Sequence, residues 1–327
     1  RFDDSVGGDS NGDGDATSPS KGNWRGIWIH DGGSATFDHA VIRYGGYTYF
    51  GADANVRVDD GGALSLTNST LSHSDHYGVW VMDVENTTIR DNTISDSDYY
   101  PISINVATMS GERTITGNTG SGNGKEAIYV NADFTGTTTL SSDNDFAWLL
   151  AYPEVLAGAT LTLDPNAVLK IQDGLHVNGT LTAETTAGNE ITFTSRFDDS
   201  VGGDSDGTAT SPTKGDWYGI YIHDGGSATF DHAVIRYGGD DLRVVDANVR
   251  VDAGGSLTLA HSTLSHSDYY GVYVRSANHV IRHNSFSSID SYAVYNGDTA
   301  NITVNAENNW WGDNSGPDPY GSGEGIN

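Results

Sequence analysis

The 327-residue sequence contains no cysteine, so no disulfide framework or thiolate metal site can organise it. It has only seven prolines, none inside a strand-like segment; Pro101 stands immediately before one, a position a strand start tolerates. Basic residues are scarce, 16 Lys and Arg against 44 Asp and Glu, for a formal net charge of −28. That balance excludes a nucleic-acid partner, whose phosphates need a basic face, and argues against anionic membrane surfaces. It suits divalent cations, high salt or solubility. No apolar run is long enough to span a bilayer; FAWLLAYPEVL at 146–156 is short and interrupted by proline, so membrane insertion is not expected. Helix-period segments are nearly absent. Glycine is plentiful at 42 residues, and apolar content of 36% suits a thin core with many turns.

What is present is repetition. WIHDGGSATFDHAVIRY at 28–44 returns at 221–237, changed only in its first residue, and RFDDSVGGDS at 1–10 returns intact at 196–205. ANVRVD at 54–59 recurs at 247–252, and STLSHSD at 69–75 recurs at 262–268. Within each copy, apolar–any–apolar triplets begin at Ile27, Val56, Val79, Ile102 and Ile128, and again at Ile220, Val249, Val272 and Val294. The intervals of 22 to 29 residues are those of a solenoid, whose coils bury their apolar faces only by stacking. Period-2 alternation across 161–193 adds more strands. Asn-centred turns (TNSTLS, RDNTIS, TGNTGS, RHNSFS) are expected to stack as asparagine ladders. Successive coils run the same way, so the sheets are parallel and the crossovers right-handed.

The reading is therefore all-β, a right-handed parallel β-helix solenoid. Its first copy spans 1–145, and its lead-in and second copy span 146–327, continuous with the first. The second RFDDS follows a strand-rich lead-in that the first lacks, so the sequence reads as a segment of a longer repetitive protein. Further repeats or end-to-end self-association are expected to cover the 24–58 end.

GTLTAETTAGNEITFTS at 179–195, the Trp-Xaa-Gly-Ile steps, the NTIS coils and NNWWGDNSGP at 308–317 resemble right-handed parallel β-helix proteins of the pectate-lyase-like type. The similarity is to repeat-bearing bacterial surface and secreted members, which implies an extracellular or cell-surface location. That fold hosts lyases, hydrolases, epimerases, tailspikes and adhesins, so it does not set the function. Among its catalytic members, pectate-type lyases pair a calcium-binding carboxylate cluster with an Arg base, and polygalacturonase-like hydrolases use paired Asp residues.

Within a triplet the middle residue points outward. The middles are Trp28, Arg57, Trp80, Ser103 and Tyr129, then Tyr221, Arg250, Tyr273 and Tyr295. Stacked about 4.8 Å apart, they predict an exposed stripe of aromatics and arginine. Aromatic faces suit sugar rings, and arginine suits uronate carboxylates. The competing structural reading is mutual packing of neighbouring side chains. A second column, Tyr77, Tyr100, Tyr270 and Tyr292, is read as corner packing.

Asp9, Asn11, Asp13 and Asp15 match the front of a calcium loop without its closing Glu, so calcium is the candidate cofactor, against a solvated acidic loop. Arg57 with Asp59 and Asp60, and Arg250 with Asp252, are the candidate catalytic groups of a lyase. His30–Asp31 and Asp38–His39, duplicated at 223–224 and 231–232, are read as turn residues. The first functional reading is a non-catalytic stalk, adhesin or glycan-binding surface with a polysaccharide or cell-surface glycan as partner. The alternative is a polysaccharide lyase, hydrolase or epimerase acting on an acidic glycan along the same face.

Overall fold

In the computed structural model, residues 3, 7–14, 16–47, 53–111, 113–240 and 246–327 are described. Among them every regular element is a β-strand, and every strand pairing is parallel. The fold is a right-handed parallel β-helix, as the triplet spacing predicts. The chain divides into two compact units: Arg1–Ala107 with Glu112–Val130 and Asp143–Phe146, and Thr108–Gly111 with Asn131–Ser142 and Ala147–Asn327.

In the first unit, one sheet carries Ile27–Ile29, Ala54–Val58, Tyr77–Met82 and the start of Ile102–Met109. Register pairs Ile27 with Val56, Val56 with Val79, and Val79 with Ile102. Val56, Val79, Ile102 and Ile128 are wholly buried, so the flanking triplet residues form the core as expected. Two further sheets complete each coil: Ser34–Asp38, Ala63–Thr67, Thr87–Arg90 and Thr114–Thr116, then Val41–Arg43, Thr70–Ser72 and Thr93–Ser95.

In the second unit the triplet sheet carries Gly174–Val177, Gly219–Ile222, Ala247–Val251, Tyr270–Val274 and Tyr292–Asn296. Register runs Leu175, Ile220, Val249, Val272, Val294. The stretch at 146–156 forms the strands Ala147–Ala151 and Glu154–Val155, the former buried throughout.

The corners are left-handed. Residues with φ near +50° recur coil after coil, as at His39 (54°), Asn68 (49°) and Asp91 (57°). Asn, Asp and His tolerate this region better than other side chains, which explains their abundance between strands. Glycine is required at the Trp-Xaa-Gly step: Gly26 has φ +94°, and a Cβ there would lie 2.0 Å from the Ala54 carbonyl oxygen.

Asparagine ladders form, with one correction. Asn92 Nδ2 donates to Leu66 O (2.9 Å) and Asn118 Oδ1 (3.0 Å), and Asn118 Nδ2 donates to Ile89 O (2.8 Å) and Asn144 Oδ1 (3.0 Å). The second unit repeats this with Asn284 and Asn309. Asn68 of TNSTLS is not part of the ladder. It is the exposed left-handed residue one position earlier, and Ser69, whose N–H donates to Asn92 Oδ1 (2.9 Å), holds the ladder position.

Candidate functional site

The middle residues of the triplets align across coils as predicted: Trp28, Arg57, Trp80, Ser103 in the first unit and Tyr221, Arg250, Tyr273, Tyr295 in the second. Their environments differ.

In the first unit the Arg57 guanidinium lies between two indoles, its carbon 4.9 Å from the Trp28 ring centroid and 4.6 Å from that of Trp80. Asp59 is buried beside it. It accepts from Arg57 Nε (2.7 Å) and Nη2 (2.6 Å) on Oδ2 and from Trp28 Nε1 (2.8 Å) on Oδ1. The carboxylate therefore neutralises the arginine and fixes the indole edge-on. Trp28 remains 47% exposed, and His30 packs against it at 4.7 Å. Asp60 is separate, forming the exposed left-handed corner after the strand. Ser103 is buried, and half-buried Tyr129 stacks on Tyr100 at 5.1 Å. The second aromatic column stacks too, Tyr77 on Tyr100 at 6.4 Å and 6°. Burial pushes the Tyr77 phenol up to about 12.

The stripe in the second unit departs from the expected exposure. Tyr221 and Tyr273 are nearly buried: Tyr221 stacks on His176 at 5.1 Å, and Tyr270 packs over Tyr273 and Tyr295 at 5.8 and 4.5 Å. Burial also raises the Tyr270 and Tyr273 phenols, keeping both uncharged. Alternation gives the direction of a side chain but not what covers it.

Beside this cluster lies a cleft of about 200 Å³ lined by His176, Tyr218, Tyr221, His223, Asp246, Arg250 and Asp252. Arg250 Nε donates to Asp252 Oδ1 (2.9 Å), and His223 Nδ1 lies 3.2 Å from Asp252 Oδ2. His223 Nε2 is 2.8 Å from His176 Nδ1, and Tyr221 donates to Asp246 (2.7 Å). Carboxylate, imidazole and imidazole thus form a chain along which a proton can pass. Sequence reasoning found Tyr221, Arg250 and Asp252 but missed His176 and Asp246. The signal for His176 was present: Leu175–His176–Val177 is itself a triplet, paired in register with Ile220–Tyr221–Ile222.

Of the calcium candidates, Asp15 lies outside the described residues. Asp9 accepts the N–H groups of Gly12 (2.5 Å) and Asp13 (3.1 Å) on Oδ1 and of Gly14 (2.8 Å) on Oδ2. These bonds, Gly14's foremost, hold its carboxyl below the usual range. Asn11 Nδ2 donates to Asp13 Oδ2 (3.0 Å). The loop's own donors thus occupy these oxygens. Among the described residues, three carboxylates that do converge are Asp199, Asp204 and Asp206 in the second copy. There the wholly buried Lys170, bonded through Nζ to Gly203 O, supplies a cation from within. Burial lowers its pKa, and Asp199 and its acidic neighbours oppose that shift.

Residues 16–148, less than half of the chain, match the family model described as NosD: Periplasmic copper-binding protein (NosD). No curated protein and no solved structure matches the chain. The matched stretch has no thiolate but holds four histidines, His30, His39, His73 and His76, with half-buried Met82 and buried Met109, and the two groups that could hold an ion among the described residues, Asp199–Asp204–Asp206 and Asp231–His232–His261, lie outside it. No described helix is long and apolar enough to cross a membrane. Repeat, register and family match together make this chain a right-handed parallel β-helix repeat protein, similar over residues 16–148 to the NosD type.

Proposed function

We propose that this chain is a non-catalytic β-helix segment acting outside the cytoplasm, as a stalk or adhesin whose first unit presents a glycan-binding surface. The observation that carries the reading is the Trp28–Arg57–Trp80 sandwich with Asp59. A ring-sized apolar face is left at Trp28, flanked by polar groups, while the arginine is already ion-paired and cannot serve as a free base. The pairing and the net charge of −28 also favour neutral sugars over polyuronates, which the protein's field repels. A periplasmic setting, the wording attached to the matched family model, is compatible with this reading. Calcium enters it only at the 9–15 loop, where a melting temperature lowered by chelator supports a bound ion.

Screening the chain on an array of neutral and uronate oligosaccharides tests the proposal. Neutral-glycan signals that disappear in Trp28→Ala support it; uniform silence removes it.

The cleft around His223 favours a second reading, a proton-abstracting polysaccharide lyase or epimerase in the second unit. His176 would take the proton from the sugar carbon, with His223 and Asp252 holding its orientation and stabilising the charge. Release of unsaturated products from uronate polymers, abolished by His223→Ala, would establish this reading in place of the first.

A further inference from the structure

One corner of the second unit carries a column of left-handed histidines on successive coils: His232 (φ 57°), His261 (47°) and His283 (58°). Their rings stack, His232 on His261 with centroids 5.1 Å apart and His261 on His283 at 5.3 Å and 4°. Asp231 stands beside them. Its Oδ1 lies 2.8 Å from Nδ1 of His232 and 2.8 Å from Nδ1 of His261. The His232 Nδ1 is shielded from solvent and, despite that proximity, makes no hydrogen bond of acceptable geometry. One ligand atom from each of Asp231, His232 and His261 lies within 4.8 Å of the others.

We propose that Asp231, His232 and His261 bind one divalent transition ion of the zinc class. Two imidazoles and a carboxylate suit such an ion, whose bonds to nitrogen and oxygen are about 2.0–2.2 Å. Ligand atoms already this close need only small side-chain shifts to converge on it. Calcium prefers six to eight oxygens and is poorly served here. The site lies outside the residues that match the family model, and it does not depend on the glycan reading.

The first copy supplies an internal contrast. At the same corner it keeps the carboxylate and the first imidazole, Asp38 and His39, with His39 Nδ1 3.0 Å from Asp38 Oδ1. Where the second copy has His261, it has Asn68, whose Nδ2 donates to Asp38 Oδ1 (2.8 Å). Asp91 stands where His283 stands. His261 Nδ1 makes the equivalent hydrogen bond to Asp231 Oδ1 (2.8 Å), but an imidazole nitrogen can release its proton and turn a lone pair to an ion, whereas an amide N–H₂ has no lone pair to offer a metal.

Isothermal titration of the full chain with Zn²⁺, after chelator treatment, tests the proposal. The wild type is expected to take up an ion that His261→Asn loses or binds at least about tenfold more weakly. That variant installs a side chain the same fold already carries at the matching corner, so it is expected to fold, as unchanged circular dichroism will show. The reciprocal Asn68→His is expected to add one further bound ion per chain. A wild type that binds no Zn²⁺, a His261→Asn variant of unchanged affinity, or an Asn68→His variant with no added ion overturns the assignment.

Discussion

Arg57 Nε donates to Asp59 Oδ2 at 2.7 Å, a contact between a residue of the strand Ala54–Val58 and the residue that immediately follows it. The pair turns a charged, catalytic-looking arginine into a neutral plate between two indoles. Asp59→Asn should therefore unsettle the face without removing any ring. Loss of this buried charge partner is expected to cost about 2 kcal/mol in denaturant unfolding. A loss below about 0.5 kcal/mol would show that the carboxylate is not holding the sandwich.

The asparagine ladder yields a paired prediction. Asn118 is buried and bonds to the coils on either side, so Asn118→Ala should destabilise by about 3 kcal/mol through unsatisfied groups. Asn68→Gly, at an exposed left-handed corner off the ladder, should cost under about 1 kcal/mol. Urea unfolding midpoints of the two variants should rank accordingly.

Two glycines separate steric from conformational cost. Both Gly26 and Gly61 have positive φ, but only at Gly26 would a Cβ meet backbone, the Ala54 carbonyl oxygen; around Gly61 there is open space. Gly61→Ala should cost about 1 kcal/mol. Gly26→Ala should cost several times that or prevent folding, as circular dichroism melts would show.

Asp198 predicts an acid sensitivity. Burial works to raise its carboxyl, but hydrogen bonds from Ser200 (2.6 Å) and Thr194 (2.5 Å) and the Arg236 guanidinium (2.6 Å) outweigh it and leave it below the ordinary range. A depressed folded-state pKa contributes stability above the unfolded value, near 3.9, and loses it as pH falls through the folded value. Wild-type stability should thus fall more steeply below about pH 4 than that of Asp198→Asn. Parallel pH profiles would remove Asp198 as the cause.

The sheet with its inward triplet residues was legible because a period-2 pattern repeated every 22 to 29 residues leaves little freedom in register. The turns were less so: Asn68 and Asn92 sit in similar motifs one position out of phase, and only backbone conformation shows which bonds to neighbouring coils. His176 was hidden because the long Asp/Gly loop at 196–216 separates its triplet from the next. The corner histidines are 29 and 22 residues apart in sequence, yet adjacent in space, and a duplicated His–Asp pair looks like a turn until the coils are stacked.

The central claim, that the first unit's aromatic face binds a neutral glycan without turning it over, is tested most directly by affinity electrophoresis. Wild type and Trp28→Ala would be run at low salt through native gels containing a neutral β-glucan, a galactomannan or polygalacturonate. The account predicts that a neutral polysaccharide retards the wild type, that Trp28→Ala runs unretarded, and that polygalacturonate retards neither. Equal retardation of both proteins, or retardation by polygalacturonate alone, would contradict it.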